Sequence, residues 1–203
     1  MFRDVKKRKL LKKQLKDINS KLLLSKEKGY RIYNNDKDMS LKWVLDVVEQ
    51  SRELLAGVCK DDLNKKSGGE LYTRLLPTTE ITSESIFIKF ALQKDLIKKV
   101  SEYLGAVPVL AYVGVWYSPR DSKGDVGSKL FHLDQADVKQ VKVFVYCSDV
   151  TDEDGPLTLI NASNSKIIAK YTKYNYSDSC QCLQDDVVKK YVSDDNWIKM
   201  TGS

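Results

Sequence analysis

His132 and Asp134 stand two residues apart in Leu130-Phe-His-Leu-Asp-Gln135, and His132 is the only histidine in the chain. Side chains two apart on a β-strand project to the same face. A strand over Lys129–Leu133 therefore aims an imidazole and a carboxylate into one space. Those are two parts of the two-histidine, one-carboxylate set that binds non-haem iron(II) and leaves coordination positions open. An isolated HxD is common, and its bland alternative is a surface or packed histidine near an unrelated aspartate. The following residues supply context: an alternating strand Gln140–Cys147, an acidic turn Asp149–Asp154, Gly155-Pro156, and a short apolar strand Leu157–Ile160.

Several neighbours are candidates for the same site. Lys142 lies inside an otherwise apolar strand, and an ammonium buried without a partner is costly. Either Lys142 points inward to an anionic group, or its face is the outer one, with the stem over neighbours and the head in water. Gln135 directly follows the two ligands; it touches substrate or the ligands' own partners, or is a polar strand end. Tyr112, Trp116, Tyr117 and Tyr146 are strand aromatics, which more often fill cores than line pockets. Arg120 reads as a solvated loop charge. The run Asp149–Asp154 lacks the ligand spacing of an EF-hand loop and reads as a hydrated turn. Cys59, Cys147, Cys180 and Cys182 show no CxxC spacing and read as reduced thiols of a cytoplasmic protein.

The set Leu130-Phe-His-Leu-Asp-Gln135, Val141-Lys-Val-Phe-Val-Tyr146, Ser148-Asp-Val150 and Asp154-Gly-Pro-Leu-Thr-Leu-Ile160 resembles the phytanoyl-CoA dioxygenase family of iron(II)/2-oxoglutarate oxygenases. The resemblance runs from about Tyr103 to Ile160. It implies a double-stranded β-helix, a jelly-roll barrel with iron at its mouth and N-terminal helices against one outer face. It implies iron(II) on His132 and Asp134, with 2-oxoglutarate as cosubstrate, dioxygen as oxidant, and hydroxylation of a small-molecule substrate. Lys142 is then placed to hold the far carboxylate of 2-oxoglutarate. The carboxylate at Asp134 also argues against a halogenase relative. The family pattern adds a second histidine late in the barrel, followed by an arginine; neither is found before Ser203. The expectation is a piece of a longer reading frame or a natural short form, with an incomplete barrel that oligomerises through exposed strand edges.

The elements that must position this site follow from patterning. At 203 residues the chain is expected to be one α+β domain, helical over 1–105 and carrying the partial barrel over 106–203, with an insertion near 161–195. Phe2–Lys28 predicts a basic helix whose Leu11, Leu15, Ile18 and Leu22 pack on the barrel. Ser40 caps a helix over Leu41–Ala56 that buries Leu41, Val44, Leu45, Val48 and Leu55, and Gly57 ends it. Lys60–Glu70 reads as a loop. Helices are expected over Ser83–Leu92 and Lys94–Leu104, the latter stopped by Gly105. Strands are expected over Val109–Tyr117, Lys129–Leu133 and Gln140–Cys147. Gln184–Tyr191 is a candidate helix in a poorly patterned tract.

The net charge of +6 is concentrated in the first helix. That helix lacks interleaved aromatics and glycine, so nucleic acid is disfavoured as a partner. The longest apolar run, Val107–Tyr117, is too short to span a bilayer. Beside the oxygenase reading stand a catalytically inactive barrel acting as a binding module, and a basic helix that meets nucleic acid or anionic lipid.

Overall fold

The computed structural model describes residues 4–15, 24–33, 41–58, 72–119, 129–134, 139–176 and 181–202. Helix α1 is Val5–Gln14, started by the Asp4 carboxylate, which accepts the Lys7 amide at 2.9 Å. It buries none of its residues, and Leu10 and Leu11 are exposed. Its half-buried residues are Arg8, Lys12 and Leu15, one helical face at steps of four and three. Arg8 Nε donates to the Val107 carbonyl at 2.7 Å, and Lys12 pairs with Glu102 at 3.3 Å. The expected leucine stripe is thus corrected: the helix is attached mainly by its cations. Ile18 and Leu22 lie outside the described residues.

Helix α2, Val44–Ala56, starts three residues later than the pattern suggested, after Trp43 in the left-handed region at φ 60°. Ser40 lies outside the described residues. The start is held instead by Gln93, whose amide accepts the Lys42 N–H at 2.9 Å and donates to the Lys42 carbonyl at 3.1 Å. The buried face runs through Val47 and Ser51, flanked by Val44 and Leu54, whereas Leu45 is exposed. The Ser51 hydroxyl is satisfied by the Val47 carbonyl at 2.7 Å, so its burial leaves no orphan.

Helix α3, Ile86–Ala91, falls within the expected Ser83–Leu92 but starts three residues later, α4, Lys94–Leu104, forms where expected, and Gly105 ends α4 at φ 80°. At that φ a Cβ is strained, which is why glycine closes the helix. Phe87 and Phe90 of α3, Leu96 and Val100 of α4, Val47 and Leu76 make the first core, and Val113, Val115, Val141 and Val145 pack against it. Lys98 is only 3% exposed, and its ammonium has no hydrogen-bond partner among the described residues.

The described strands make two antiparallel pairs. Strand β1, Thr73–Arg74, pairs with β2, Trp116–Tyr117, and β3, Thr158–Leu159, pairs with β4, Ile198–Lys199. Both sheets have two strands, and no barrel is among the described residues. The expected long strands are shortened because a ladder needs a partner backbone alongside. Within Val109–Tyr117 only the last two residues lie in a strand, and Gln140–Cys147 carries no ladder. Val141 and Val145 turn to the core, but Val143 is exposed with Phe144, so the expected alternation breaks at its centre.

The poorly patterned tract expected to be an insertion builds a second core, and a helix forms within the expected Gln184–Tyr191. Asn161 caps helix α5, Ala162–Tyr171, by accepting the Asn164 amide at 2.8 Å. Helix α6 is Asp185–Lys189. Ile168, Val188 and Val192 are buried, with Phe131, Ile160, Leu183 and Trp197 packed around them. No helix among the described residues is long and apolar enough to cross a membrane.

Two stability measurements test these cores. Leu76 is 1% exposed, so Leu76→Ala should lower the unfolding free energy by about 2–5 kcal/mol in urea titration. Lys98→Met should raise it by about 1 kcal/mol or more, because it removes an ammonium that costs solvation without a partner. A loss of stability in the second variant would show that the ammonium is paired.

Candidate functional site

Phe131 mounts the site on the second core. Its amide donates to the Leu183 carbonyl at 3.1 Å and its carbonyl accepts the Leu183 amide at 2.8 Å, an isolated antiparallel bridge. Its ring meets Trp197 edge-on, with centroids 4.9 Å apart. The next residues leave that anchor as an exposed stretch, His132 to Asp134. Full strand pairing over Lys129–Leu133 does not form, yet one bridged residue is enough to fix where His132 begins.

The structure brings the two predicted ligands together. His132 Nε2 lies 3.7 Å from Asp134 Oδ1, with both side chains about one-third exposed. His132 Nδ1 lies 2.8 Å from the Leu130 carbonyl. A carbonyl only accepts, so Nδ1 carries a proton, and in the neutral ring Nε2 keeps its lone pair. Two acceptors then face one another across a gap that a cation can bridge. The imidazole tied through its other nitrogen to a backbone carbonyl is the arrangement that orients a metal-ligating histidine.

Lys142 is drawn into the same group. Its Nζ lies 2.6 Å from Asp134 Oδ2, and the lysine side chain is about half exposed. The Lys142 side chain therefore faces the candidate ligands, although its head is not buried. An ion pair this open to water contributes only about 0–1 kcal/mol to stability. A competing cation at Asp134 displaces little by separating it. Gln140 adds a second hold: its Nε2 donates to the Asp134 carbonyl at 2.9 Å.

The segment bearing Lys142 is held at both ends. Val141 and Val145 pack on the first core. Tyr146 Oη accepts the Leu157 amide at 3.2 Å, next to β3. Burial pushes the Tyr146 phenol above its ordinary value, against the Leu157 N–H, which favours the ionised form.

The remaining candidates are not gathered here. Gln135, Arg120, Cys59 and Cys180 lie outside the described residues. Cys147 and Cys182 are free thiols. Tyr112 and Trp116 pack at 6.2 Å, with the Arg74 guanidinium over both rings, above Gly114, where a Cβ would collide with both side chains. The acidic turn Asp152–Asp154 closes on itself as a capping box, Thr151 with Asp154, and Asp152 pairs with Lys199 at 3.1 Å. Among the described residues, no group of three or more His, Cys, Asp or Glu side chains is placed to hold a metal ion. His132 and Asp134 thus stand as a pair of donor side chains, with Asp134 also paired to Lys142. Phe131 and Gln140 were not legible as site residues; only Phe131 carried a signal, as an apolar residue directly before the histidine.

No protein-family model, curated protein or solved structure matches this chain. The functional reading therefore stands on the residues and their geometry.

The Tyr146 arrangement has a pH consequence. In the unfolded chain this phenol ionises at its ordinary value, and in the fold it ionises higher. Above the ordinary value the unfolded state binds fewer protons, so stability falls as pH rises through the raised value. Urea unfolding at roughly pH 9 and pH 11, either side of the ordinary phenol range, should show a larger loss for the wild type than for Tyr146→Phe. Equal losses would remove this role.

Proposed function

We propose that the chain holds a divalent metal, iron(II) by its resemblance, between His132 and Asp134, and that it is of the iron(II)/2-oxoglutarate dioxygenase lineage. The observation that supports this is the approach of His132 Nε2 to Asp134 Oδ1 at 3.7 Å, with Nδ1 2.8 Å from the Leu130 carbonyl, an arrangement that in the neutral ring leaves Nε2 a lone pair for a metal. In that lineage the metal, when bound, supplies oxidative decarboxylation of 2-oxoglutarate coupled to hydroxylation of a small-molecule substrate by dioxygen. The chain's own residues orient and exclude. His132 and Asp134 offer two donors, Gln140 steadies the Asp134 backbone, and Lys142 offers the cation beside them for a cosubstrate carboxylate. A double-stranded β-helix, the fold that the resemblance implies, is part of the same proposal.

A second reading is favoured by two observations. His132 is the only histidine, and Lys142 already neutralises Asp134 at 2.6 Å. Both suit a scaffold that keeps the fold's ligand positions and acts as a binding module without turnover.

Anaerobic calorimetry with iron(II) separates these readings from a structure without a metal site. The wild type should bind, and His132→Ala and Asp134→Ala should each weaken binding by about tenfold or more. Unchanged binding in both variants would sink the proposal. Succinate formed from 2-oxoglutarate in an iron-dependent manner, and lost in His132→Ala, marks the enzyme; metal binding without succinate marks the inactive module.

A further inference from the structure

We propose that Tyr174 is a positioning residue for the His132–Asp134 pair, a role that rests on reading that pair as metal-holding. Tyr174 is 7% exposed. Its hydroxyl accepts the Leu133 amide at 3.1 Å and donates to the Gln181 carbonyl at 2.8 Å. Both partners are backbone groups, so one hydroxyl hydrogen and one lone pair are committed to holding the chain. Leu133 is the residue between the two candidate ligands. Its amide lies in the peptide plane that follows His132, and its own dihedrals set the turn from His132 to Asp134. Two side chains two apart converge only while the intervening residue keeps its backbone conformation. The Leu133 side chain is exposed and cannot supply that restraint by packing.

The fold delivers Tyr174 by a specific local device. Lys173 follows α5 in the left-handed region at φ 52° and turns the chain back. The Tyr174 amide then closes on the Ala169 carbonyl at 2.9 Å. The ring sits edge-on to Tyr176, and the Asn175 amide donates to the Gln181 side chain, so both sides of the hydroxyl's reach are braced. The stretch from Phe131 to Asp134 is consequently held at three places: the Phe131 bridge to Leu183, the Leu133 amide on Tyr174, and the Asp134 carbonyl on Gln140. Only the middle one lies between the two ligands. Removing the hydroxyl leaves the ring's packing intact and frees the Leu133 amide, so the ligand spacing relaxes while the second core stays assembled.

The experiment combines amide hydrogen exchange at Leu133 with cobalt(II) titration, cobalt(II) serving as a spectroscopic divalent probe. In the wild type the Leu133 amide should be protected. In Tyr174→Phe it should exchange faster, cobalt(II) should bind about tenfold more weakly, and its visible absorption band should shift. A freely exchanging Leu133 amide in the wild type would overturn the proposal without any variant, which covers the case of a variant that fails to fold. Faster exchange with cobalt(II) affinity and absorption unchanged would also overturn it. His132→Ala is the reference arm. If it binds cobalt(II) as tightly as the wild type, the metal reading itself fails and takes the positioning role with it, whatever Leu133 shows.

Discussion

The arrangement of this site depends on the bridge between Phe131 and Leu183. Two backbone hydrogen bonds and one aromatic edge contact fix the chain at the residue before His132. From that point the imidazole and the carboxylate are set by short-range geometry. The bridge works because Leu183 and Trp197 belong to a closed apolar cluster around Val188, which is fully buried. A site on an exposed stretch needs such a footing, since its own residues contribute little burial. Rigidity is borrowed from the elements beneath.

Two cores meet at the candidate ligands. The first carries Val141 and Val145, and with them Lys142. The second carries Phe131, and with it His132 and Asp134. The Asp134–Lys142 pair therefore joins side chains whose backbones are anchored in different clusters. Exposed as it is, the pair adds little stability. Its significance is electrostatic: it sets a cation beside a carboxylate that also faces the His132 imidazole. Whatever occupies the gap between His132 and Asp134 meets one acceptor from each and a nearby ammonium.

The N-terminal half shows how charge and burial trade places. Helix α1 was expected to dock by leucines and is attached by Arg8 and Lys12 instead. Helix α4 buries the expected Leu96 and Val100, and Lys98 and Lys99 are buried beside them. Hydrophobic periodicity assigns both helices correctly as helices, because that depends on local spacing. It misses the cations that both helices place against the rest of the chain, because lysine and arginine stems are apolar enough to line an interface. In α2 the expected Leu41 and Val44 pack on the core, while Val47 and Ser51 are buried and Leu45 is exposed.

What the residues determined by themselves is local. The α4 helix and its Gly105 stop follow from propensity and from the positive φ that glycine tolerates. The spacing of His132 and Asp134 allows them to meet, but no strand is found over the described residues 129–134, and the long-range holds on that stretch set their approach. What only the tertiary structure decided is long-range. Lys142 meeting Asp134, Phe131 bridging Leu183 and Tyr174 reaching Leu133 join residues whose separation carries no periodic signal. The helix at Ala162–Tyr171 was hidden in a polar tract, whereas the helix that carries Val188 falls within the expected Gln184–Tyr191. Such contacts depend on which apolar faces find each other, and that is settled by burial across the whole chain rather than by any stretch of it.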